Sequence, residues 1–394
     1  MSYNLFKKVL VTLAFIIVYK SLSFIPIPLL GIQTLDNNSL LQLSNTLSGQ
    51  SKNICNLISL GILPYILSFI MLEVISFSSP KIQKLKQTNE GTIKYVRYTK
   101  LLTILIALIE SISLIFSINI EPNNISFFVT PFILVAGTFI LIWISEQITA
   151  YGLGNGLSIL ILVSIFTSVF PFLSNLKDII IDNGFTFSLV CVFFIFLLTI
   201  FIIFFVETSL RKIPLSFLYS SKKSNFNYYP LKINLAGIIP TIFASSILII
   251  EHKILINYSD YIPNNISYIL GETGLFNLFI TFGLILLFSY SYISLTYDPK
   301  KIADKLNKEG SYIKNIKATE NTEQYFRKTL NNLSHIGSFY IAFITTIPSF
   351  IIHKLGFPFP FAGAMVLITI QITLDIIRKL KSTILVDKVN NCSL

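Results

Sequence analysis

Few side chains in this sequence have the types and spacing that metal or redox chemistry needs. The candidate soft ligands are Cys55, Cys191, Cys392, His252, His335 and His353. The cysteines lie far apart with no CxxC pair, and the histidines form no cluster along the chain. A disulfide framework or a structural zinc site needs ligands at short, characteristic spacings. The sequence therefore predicts neither a cofactor nor a metal site.

Acidic residues within apolar segments are the next candidates, because burying a carboxylate in a membrane costs at least a few kcal/mol. Glu110 is the clear mid-segment carboxylate, in the stretch LLTILIALIESISLIF. Others lie near segment ends: Glu73, Glu146, Glu207 with Arg211 nearby, and Asp375 with Arg378 nearby. A proton-coupled transporter normally needs a relay of such groups. One isolated glutamate is more typical of a hydrogen-bonded interior residue, but it leaves an ion-coupled secondary transporter open as an alternative.

A glycine-rich run, GLGNG at residues 152–156, is similar at first sight to a phosphate-binding loop. It follows an apolar segment and not a strand, so it lacks the context that a dinucleotide site requires. A tight turn between helices is favoured instead. No apolar segment carries the paired side chains that an intramembrane protease would need. The sequence therefore predicts a protein that is not an enzyme.

The elements that must position these residues are membrane helices. Of the 394 residues, 53% are hydrophobic and 12% are charged. Soluble domains carry about 25% charged residues, and a spanning helix takes ~20 apolar residues. Ten apolar runs are bounded by charged residues or by Gly and Pro: 5–25, 60–78, 98–118, 128–147, 155–173, 186–206, 234–251, 273–296, 335–352 and 357–377. The sequence predicts an all-α polytopic membrane protein with ten transmembrane helices.

Basic residues predict the orientation of these spans. With the N-terminus inside, 25 of the 30 Lys and Arg fall on the inner side, which is the bias expected for cytoplasmic-side loops. Both termini are then inside. Five spans in residues 1–180 and five in residues 181–394 predict two halves of opposite orientation, as in proteins built from inverted repeats.

Two segments do not fit a simple alternation of spans and loops. Residues 36–58 are too polar to span, yet Leu40, Leu41, Leu43 and Leu47 form an apolar edge. An amphipathic or re-entrant segment and an ordinary outer loop fit this pattern equally well. In residues 298–333, Asp298 before Pro299 predicts a helix start and Gly310 predicts its end. We expect a structured basic projection there, on the inner side.

Aliphatic residues one helical turn apart occur near the start of two spans. Ile62 and Ile66 lie beside Pro64, and Leu157 and Ile161 begin the fifth span. Residues at this spacing share one face of a helix. Taken alone, the pattern predicts helix packing and no special function.

Long stretches of the chain carry a more specific signal. They are VYKSLSFIPIP (18–28), LGILPYILSFIM (60–71), EGTIKYVRYTKLLTILIALIES (90–111), GTFILIWISEQITAYGLGNGLSILI (137–161), FVETSLRKIPLSF (205–217), YYPLKINLAGIIPTIFASSIL (228–248), DPKKIADKLNKEGSYI (298–313) and FPFAGAMVLITIQITLDII (359–377). Together they resemble the SecY family, the channel subunits of the Sec protein-conducting translocon. The resemblance is colinear and covers nearly the whole chain.

The resemblance implies two inverted five-helix halves around a central hourglass pore, with a plug on the outer side. It also implies a lateral gate between spans two and three on one side and seven and eight on the other. The pore ring would consist of Ile62, Ile66, Leu157, Ile161, Ile242 and Ile368. The plug would lie within 36–58 and include Leu47 and Gly49. The gate would be lined by Leu67 and Ile250, with Glu73 and Glu110 as polar contacts.

The resemblance further implies docking of a motor or a ribosome on the inner segments 207–233 and 298–333, through Arg211, Lys212 and Lys317. Lys317 stands where the family usually has Arg, and Lys lacks the planar donor fork of Arg. We therefore expect altered motor coupling, and a specialised accessory member of the family is a further alternative.

The implied partners are SecE and a SecG-like subunit, the SecA ATPase or the ribosome, preproteins bearing signal peptides, and membrane lipid, with no direct DNA binding. The composition, with 35 Phe and one Trp, is typical of AT-rich coding. It favours a plastid-encoded protein of the thylakoid membrane, with a bacterial inner membrane as the alternative.

Overall fold

The computed structural model describes residues 3–27, 56–79, 82, 88–117, 125–167, 187–217, 228–245, 247–248, 275–313, 320–355 and 362–392. The described helices are α1 (Tyr3–Leu22), α2 (Leu63–Ser78), α3 (Asn89–Ser117), α4 (Ile125–Tyr151), α5 (Gly156–Thr167), α6 (Phe187–Thr208), α7 (239–245), α8 (Leu275–Thr296), α9 (Pro299–Lys308), α10 (Glu320–Lys354) and α11 (Ala362–Cys392). The described strands are β1 (Leu210–Phe217), β2 (Tyr228–Lys232) and β3 (Ser311–Ile313).

Among the described residues, five helical stretches are long and apolar enough to cross a membrane: Glu90–Ile115, Phe127–Tyr151, Phe187–Thr208, Phe276–Lys308 and Asn321–Ile352. Helices α2 and α5 are shorter and apolar, and they lie within the second and fifth predicted spans. Only 17% of the most apolar part of α6 is buried, as expected for a helix whose solvent is lipid. The prediction of a helical membrane protein is confirmed, and the count of ten spans stays a prediction.

Contacts divide the chain into two compact units, Met1–Thr186 with Ile372–Leu394, and Phe187–Gln371. In the first unit, α2 packs on α3, α3 on α4, and α1 on α4. A buried cluster of Ile27, Leu60, Ala107 and Leu134 joins these elements. Gly137 of α4 allows the close approach of the segment before α2, since a Cβ there would lie 2.0 Å from the Leu57 carbonyl oxygen.

In the first unit, the residues that follow α1 are hydrogen-bonded to the residues that precede α2. Pro26 and Asn56 form an antiparallel bridge, and the Leu57 N–H donates to the Ile25 carbonyl at 3.0 Å. The side chain of Asn56 also donates to the Ser23 carbonyl. These bonds satisfy buried backbone groups and bring together the two ends of the intervening segment 28–55.

The second unit is built around α8 and α10, which pack along each other. Its core includes Ile285, Ile293, Phe326, Leu333 and Ile341. Helix α10 begins at Glu320, well before the predicted span at 335–352. The reason is that its first turns are amphipathic and not apolar: Phe326, Leu330 and Leu333 are buried at helical spacing among polar residues.

A three-stranded antiparallel sheet, in the order β2-β1-β3, lies in the second unit. The all-α prediction missed this sheet, which falls in the segments predicted as inner docking loops. Beside it, α9 confirms the helix predicted after Asp298. The Asp298 carboxylate accepts the Lys300 N–H at 3.0 Å as an N-cap, and Gly310 with φ of 66° follows the end.

Candidate functional site

The start of α2 holds the first two predicted pore residues. Gly61 has φ of 60° and its N–H donates to the Ile58 carbonyl at 2.8 Å, which turns the chain into the helix. The Ile66 N–H then donates to the Ile62 carbonyl at 3.2 Å. Ile62 is buried and Ile66 half-buried, and this backbone bond places them on one helical face, one turn apart.

The start of α5 holds the next two, and the GLGNG run places them. Gly154 has φ of 84°, the left-handed conformation that glycine adopts readily. Asn155 caps the new helix, because its Oδ1 accepts the Leu157 N–H at 3.1 Å. The Gly156 N–H donates to Thr149 Oγ1 of α4 at 2.8 Å. The predicted tight interhelical turn is confirmed, and it fixes where Leu157 and Ile161 begin α5.

The last two predicted ring residues lie in the second unit. Ile242 is half-buried on α7, and Ile368 is buried near the start of α11. Phe243 of α7 packs edge-to-face on Phe288 of α8, with ring centroids 5.4 Å apart. None of the six predicted ring residues is exposed. By contrast, Phe201 on α6 is 71% exposed, as a lipid-facing residue would be.

The predicted gate residues on α2 and α3 have different surroundings. Leu67 is half-buried on α2. Glu73 of α2 accepts a hydrogen bond from the hydroxyl of Tyr95 on α3 at 2.9 Å, so its partner is a tyrosine that the sequence did not point to. Glu110 is half-buried on α3, roughly four turns beyond Tyr95. The two glutamates therefore do not form one cluster within the helix pair.

An ion pair joins α3 to α4. Lys100 Nζ lies 2.6 Å from Glu146 Oε1, and both side chains are partly exposed. Lys100 lies in the first half of α3 and Glu146 close to the end of α4, so the two helices run antiparallel, as consecutive spans must. The predicted neighbours Asp375 and Arg378 also pair, at 3.1 Å.

The predicted docking residues Arg211 and Lys212 are exposed on strand β1. Lys212 Nζ lies 5.0 Å from the centroid of the Tyr228 ring, a cation–π contact that orients the lysine. The opposite side of the strand is apolar, since Ile213 is 1% exposed and lies in the core of the second unit. Helix α9 adds exposed basic side chains at Lys300, Lys301, Lys305 and Lys308.

A tyrosine anchors this sheet to α10. The Tyr229 ring packs edge-to-face on Phe326, with centroids 5.6 Å apart. Burial raises the pKa of Tyr229, and the nearby Glu309 carboxylate raises it further. The phenol is neutral at physiological pH, as it is at the ordinary tyrosine pKa, and its ring packs against Phe326.

One buried polar pair was missed at the sequence level. Glu207, for which the sequence indicated Arg211 as the neighbour, is 2% exposed at the end of α6. Its Oε1 accepts a hydrogen bond from Asn234 Nδ2 at 2.6 Å, and Asn234 is also 2% exposed. The only hint in the sequence is the position of both residues at the margins of apolar runs.

Four predicted site residues, Leu47, Gly49, Ile250 and Lys317, lie outside the described residues. Within the described ranges, no group of three or more His, Cys, Asp or Glu side chains is arranged to hold a metal ion.

Comparison with known proteins adds an independent line of evidence. The family model described as SecY matches residues 56–377. The protein translocase subunit SecY of Helicobacter pylori (strain ATCC 700392 / 26695) is 34% identical over 98% of this chain and 97% of that protein. The subunit of the same name from Buchnera aphidicola subsp. Schizaphis graminum is 30% identical over 94% of this chain and 90% of that protein.

Solved structures give the same fold. A structure described as that of a protein conducting channel has a TM-score of 0.74 at 18% identity, covering 97% of this chain and 93% of that one. Sec61 in the canine ribosome-channel complex from the endoplasmic reticulum has a TM-score of 0.71 at 17% identity, with the same coverage.

Proposed function

The chain belongs to the SecY family and is a protein translocase subunit, and we propose how its residues pass an unfolded polypeptide across, or release it into, a membrane. The observation that carries this proposal is the colinear similarity to SecY proteins over 98% of the chain. It favours a channel over an ion-coupled transporter, for which Glu110 was the one supporting feature. The energy for transport comes from a partner.

The proposed pore ring consists of Ile62, Ile66, Leu157, Ile161, Ile242 and Ile368. Branched aliphatic side chains at a constriction expel water and so block ions. They also bind no particular sequence, because their contacts with a threading chain are non-directional. All six residues lie near the start of a helix and none of them is exposed, which supports this role.

The proposed plug lies within residues 36–58 and includes Leu47 and Gly49. The bridge between Pro26 and Asn56 supports it, because it holds the residues on either side of 28–55 together beside the start of α2. The proposed lateral gate uses Leu67 and Ile250, with Glu73 and Glu110 as polar contacts. The bond from Tyr95 to Glu73 supports α2 and α3 moving together.

We also propose the partners and the setting. The basic residues of β1 and α9 face the inner side and dock the SecA motor or a ribosome, with Lys317 contributing. SecE and a SecG-like subunit complete the complex, and preproteins with signal peptides are the cargo. Both termini are inside, in a plastid thylakoid membrane or a bacterial inner membrane.

Reversing two docking charges tests the docking surface. Arg211→Glu together with Lys212→Glu is expected to slow preprotein translocation roughly tenfold at low salt, because opposed charges steer partner association. The measurement is the rate of preprotein uptake into vesicles carrying the complex, over a range of salt concentrations. Lys94→Glu, an equally exposed reversal on α3, is the matched control and should have little effect. Equal slowing by both would place docking elsewhere.

The proposed function is tested by cross-linking to a chain held in transit. Single cysteines at Ile161 and at Ile368 are expected to form disulfides with a cysteine in a preprotein arrested during translocation. A cysteine at Phe201, which is 71% exposed on α6, is the control and should form none. Labelling at Phe201 without labelling at the two pore positions would overturn the proposed path.

A further inference from the structure

The segment 233–238, which we call the joint, connects strand β2 to helix α7. We infer that the joint positions α7, and that Glu207 is the positioning residue through which a load on the β1–β2 hairpin reaches the pore. This inference rests on the proposed function, because it takes Ile242 and Ile368 as pore residues. Three helices hold the joint, each through a different contact.

The first contact is made by Glu207 of α6. The amide NH₂ of Asn234 donates to Glu207 Oε1 at 2.6 Å. The amide oxygen is then directed to the other side, where it accepts the Gly237 N–H at 3.0 Å. Both side chains of this hydrogen bond are buried, so neither can exchange its partner for water without local opening. Glu207 thereby fixes the turn from Asn234 to Gly237 without touching Gly237 itself.

The second and third contacts are close approaches at glycine. Gly237 has φ of 67°, and a Cβ there would lie 2.9 Å from Gln371 Nε2 of α11. Gly337 of α10 lies under the joint, since its Cβ would lie 3.0 Å from the Ile233 carbonyl oxygen. Leu235 and Ala236 between them are buried. Packing this close transmits a displacement because there is little free volume to absorb it.

The joint is next to both the hairpin and the pore residues in sequence. The outermost pair of the β1–β2 hairpin is Leu210 with Lys232. Glu207 and Asn234 lie just beyond that pair, so their hydrogen bond joins the two chain segments at the base of the hairpin. On the other side, Gly237 precedes Ile242 by little more than one turn, and Gln371 follows Ile368 by less than one turn. A pull on the exposed Arg211 and Lys212 therefore acts first on the joint.

The test measures two properties of the reconstituted complex: ionic conductance at rest, and hydrogen exchange of the backbone amides of residues 234–238. Glu207→Ala is expected to raise both about tenfold, because the buried Asn234 donor loses its acceptor. Glu207→Gln keeps an acceptor oxygen toward Asn234 and should stay within about twofold of the unaltered channel. Thr199→Ala is a buried change on the same helix, where the hydroxyl donates to the Phe196 carbonyl one turn earlier at 2.8 Å, and it should change neither.

A second variant guards against simple misfolding. Glu207→Leu combined with Asn234→Leu removes both side chains of the buried pair, and the Gly237 N–H is then the group that loses its acceptor. The double change should therefore disturb folding less than Glu207→Ala, which orphans the buried Asn234 amide, while still losing the tie at the base of the hairpin. Faster exchange with unchanged conductance in both variants would overturn the inference. The proposed function has its own readout, the cross-linking of cysteines at Ile161 and Ile368 to an arrested preprotein, so the two failures are distinguishable.

Discussion

A channel that carries Ile66→Asn and Ile242→Asn together is expected to conduct ions at rest roughly tenfold more than the unaltered channel. Each change replaces an isoleucine whose burial away from water contributes ~1.5–3 kcal/mol to keeping the constriction closed. Both isoleucines are half-buried, Ile66 on α2 and Ile242 on α7. An asparagine side chain holds water at a constriction where isoleucine expels it. The measurement is the current across a planar bilayer containing the purified complex, without preprotein.

The matched control for the pore is Ile66→Leu with Ile242→Leu. Leucine keeps the volume and the apolar character, so this channel should stay closed to ions at rest. The prediction fails if the asparagine channel is as tight as the leucine channel while both complexes are folded. In that case neither position takes part in the seal.

The helices could be predicted because a membrane leaves few alternatives. A chain in lipid must satisfy its backbone polar groups internally, so each apolar run long enough to span had to be helical, as α4 and α6 are. Capping residues located α9, where Asp298 and Gly310 mark the two ends. Neither kind of reasoning applies to strands, so the sheet could not be located. Strand β1 contains Arg211, Lys212 and Pro214, and its partner β3 is distant in sequence, so its pairing is a tertiary property.

The candidate site was predictable only in part, for a related reason. An isoleucine in a pore and an isoleucine in a helix interface have the same local pattern, so Ile62 and Ile66 needed a family resemblance to be singled out. The polar partners needed the structure. Tyr95 with Glu73, and Asn234 with Glu207, lie on different elements, and no spacing rule connects them. Residues whose role depends on position within one helix were predicted, and those whose role depends on a distant partner were not.

The turn between α4 and α5 should tolerate no side chain at its last glycine. Gly156→Ala would place a Cβ 1.9 Å from the Ser145 carbonyl oxygen and 3.0 Å from the Ile148 Cβ. Both neighbours belong to α4, where Ile148 is fully buried, so the two helices must separate. We expect a loss of about 3 kcal/mol in the free energy of unfolding, at the upper end for overpacking. Thermal unfolding of the complex in detergent measures it.

Gly283→Ala is the matched comparison, because Gly283 lies inside α8 and a Cβ there would meet nothing within 4 Å. Alanine is the better helix former by about 1 kcal/mol in water, so this variant should unfold no earlier than the unaltered protein. The contrast separates crowding from the general effect of replacing a helical glycine. If Gly156→Ala were as stable as Gly283→Ala, the contact with Ser145 would not determine how α5 begins. The placement of Leu157 and Ile161 would then need another cause.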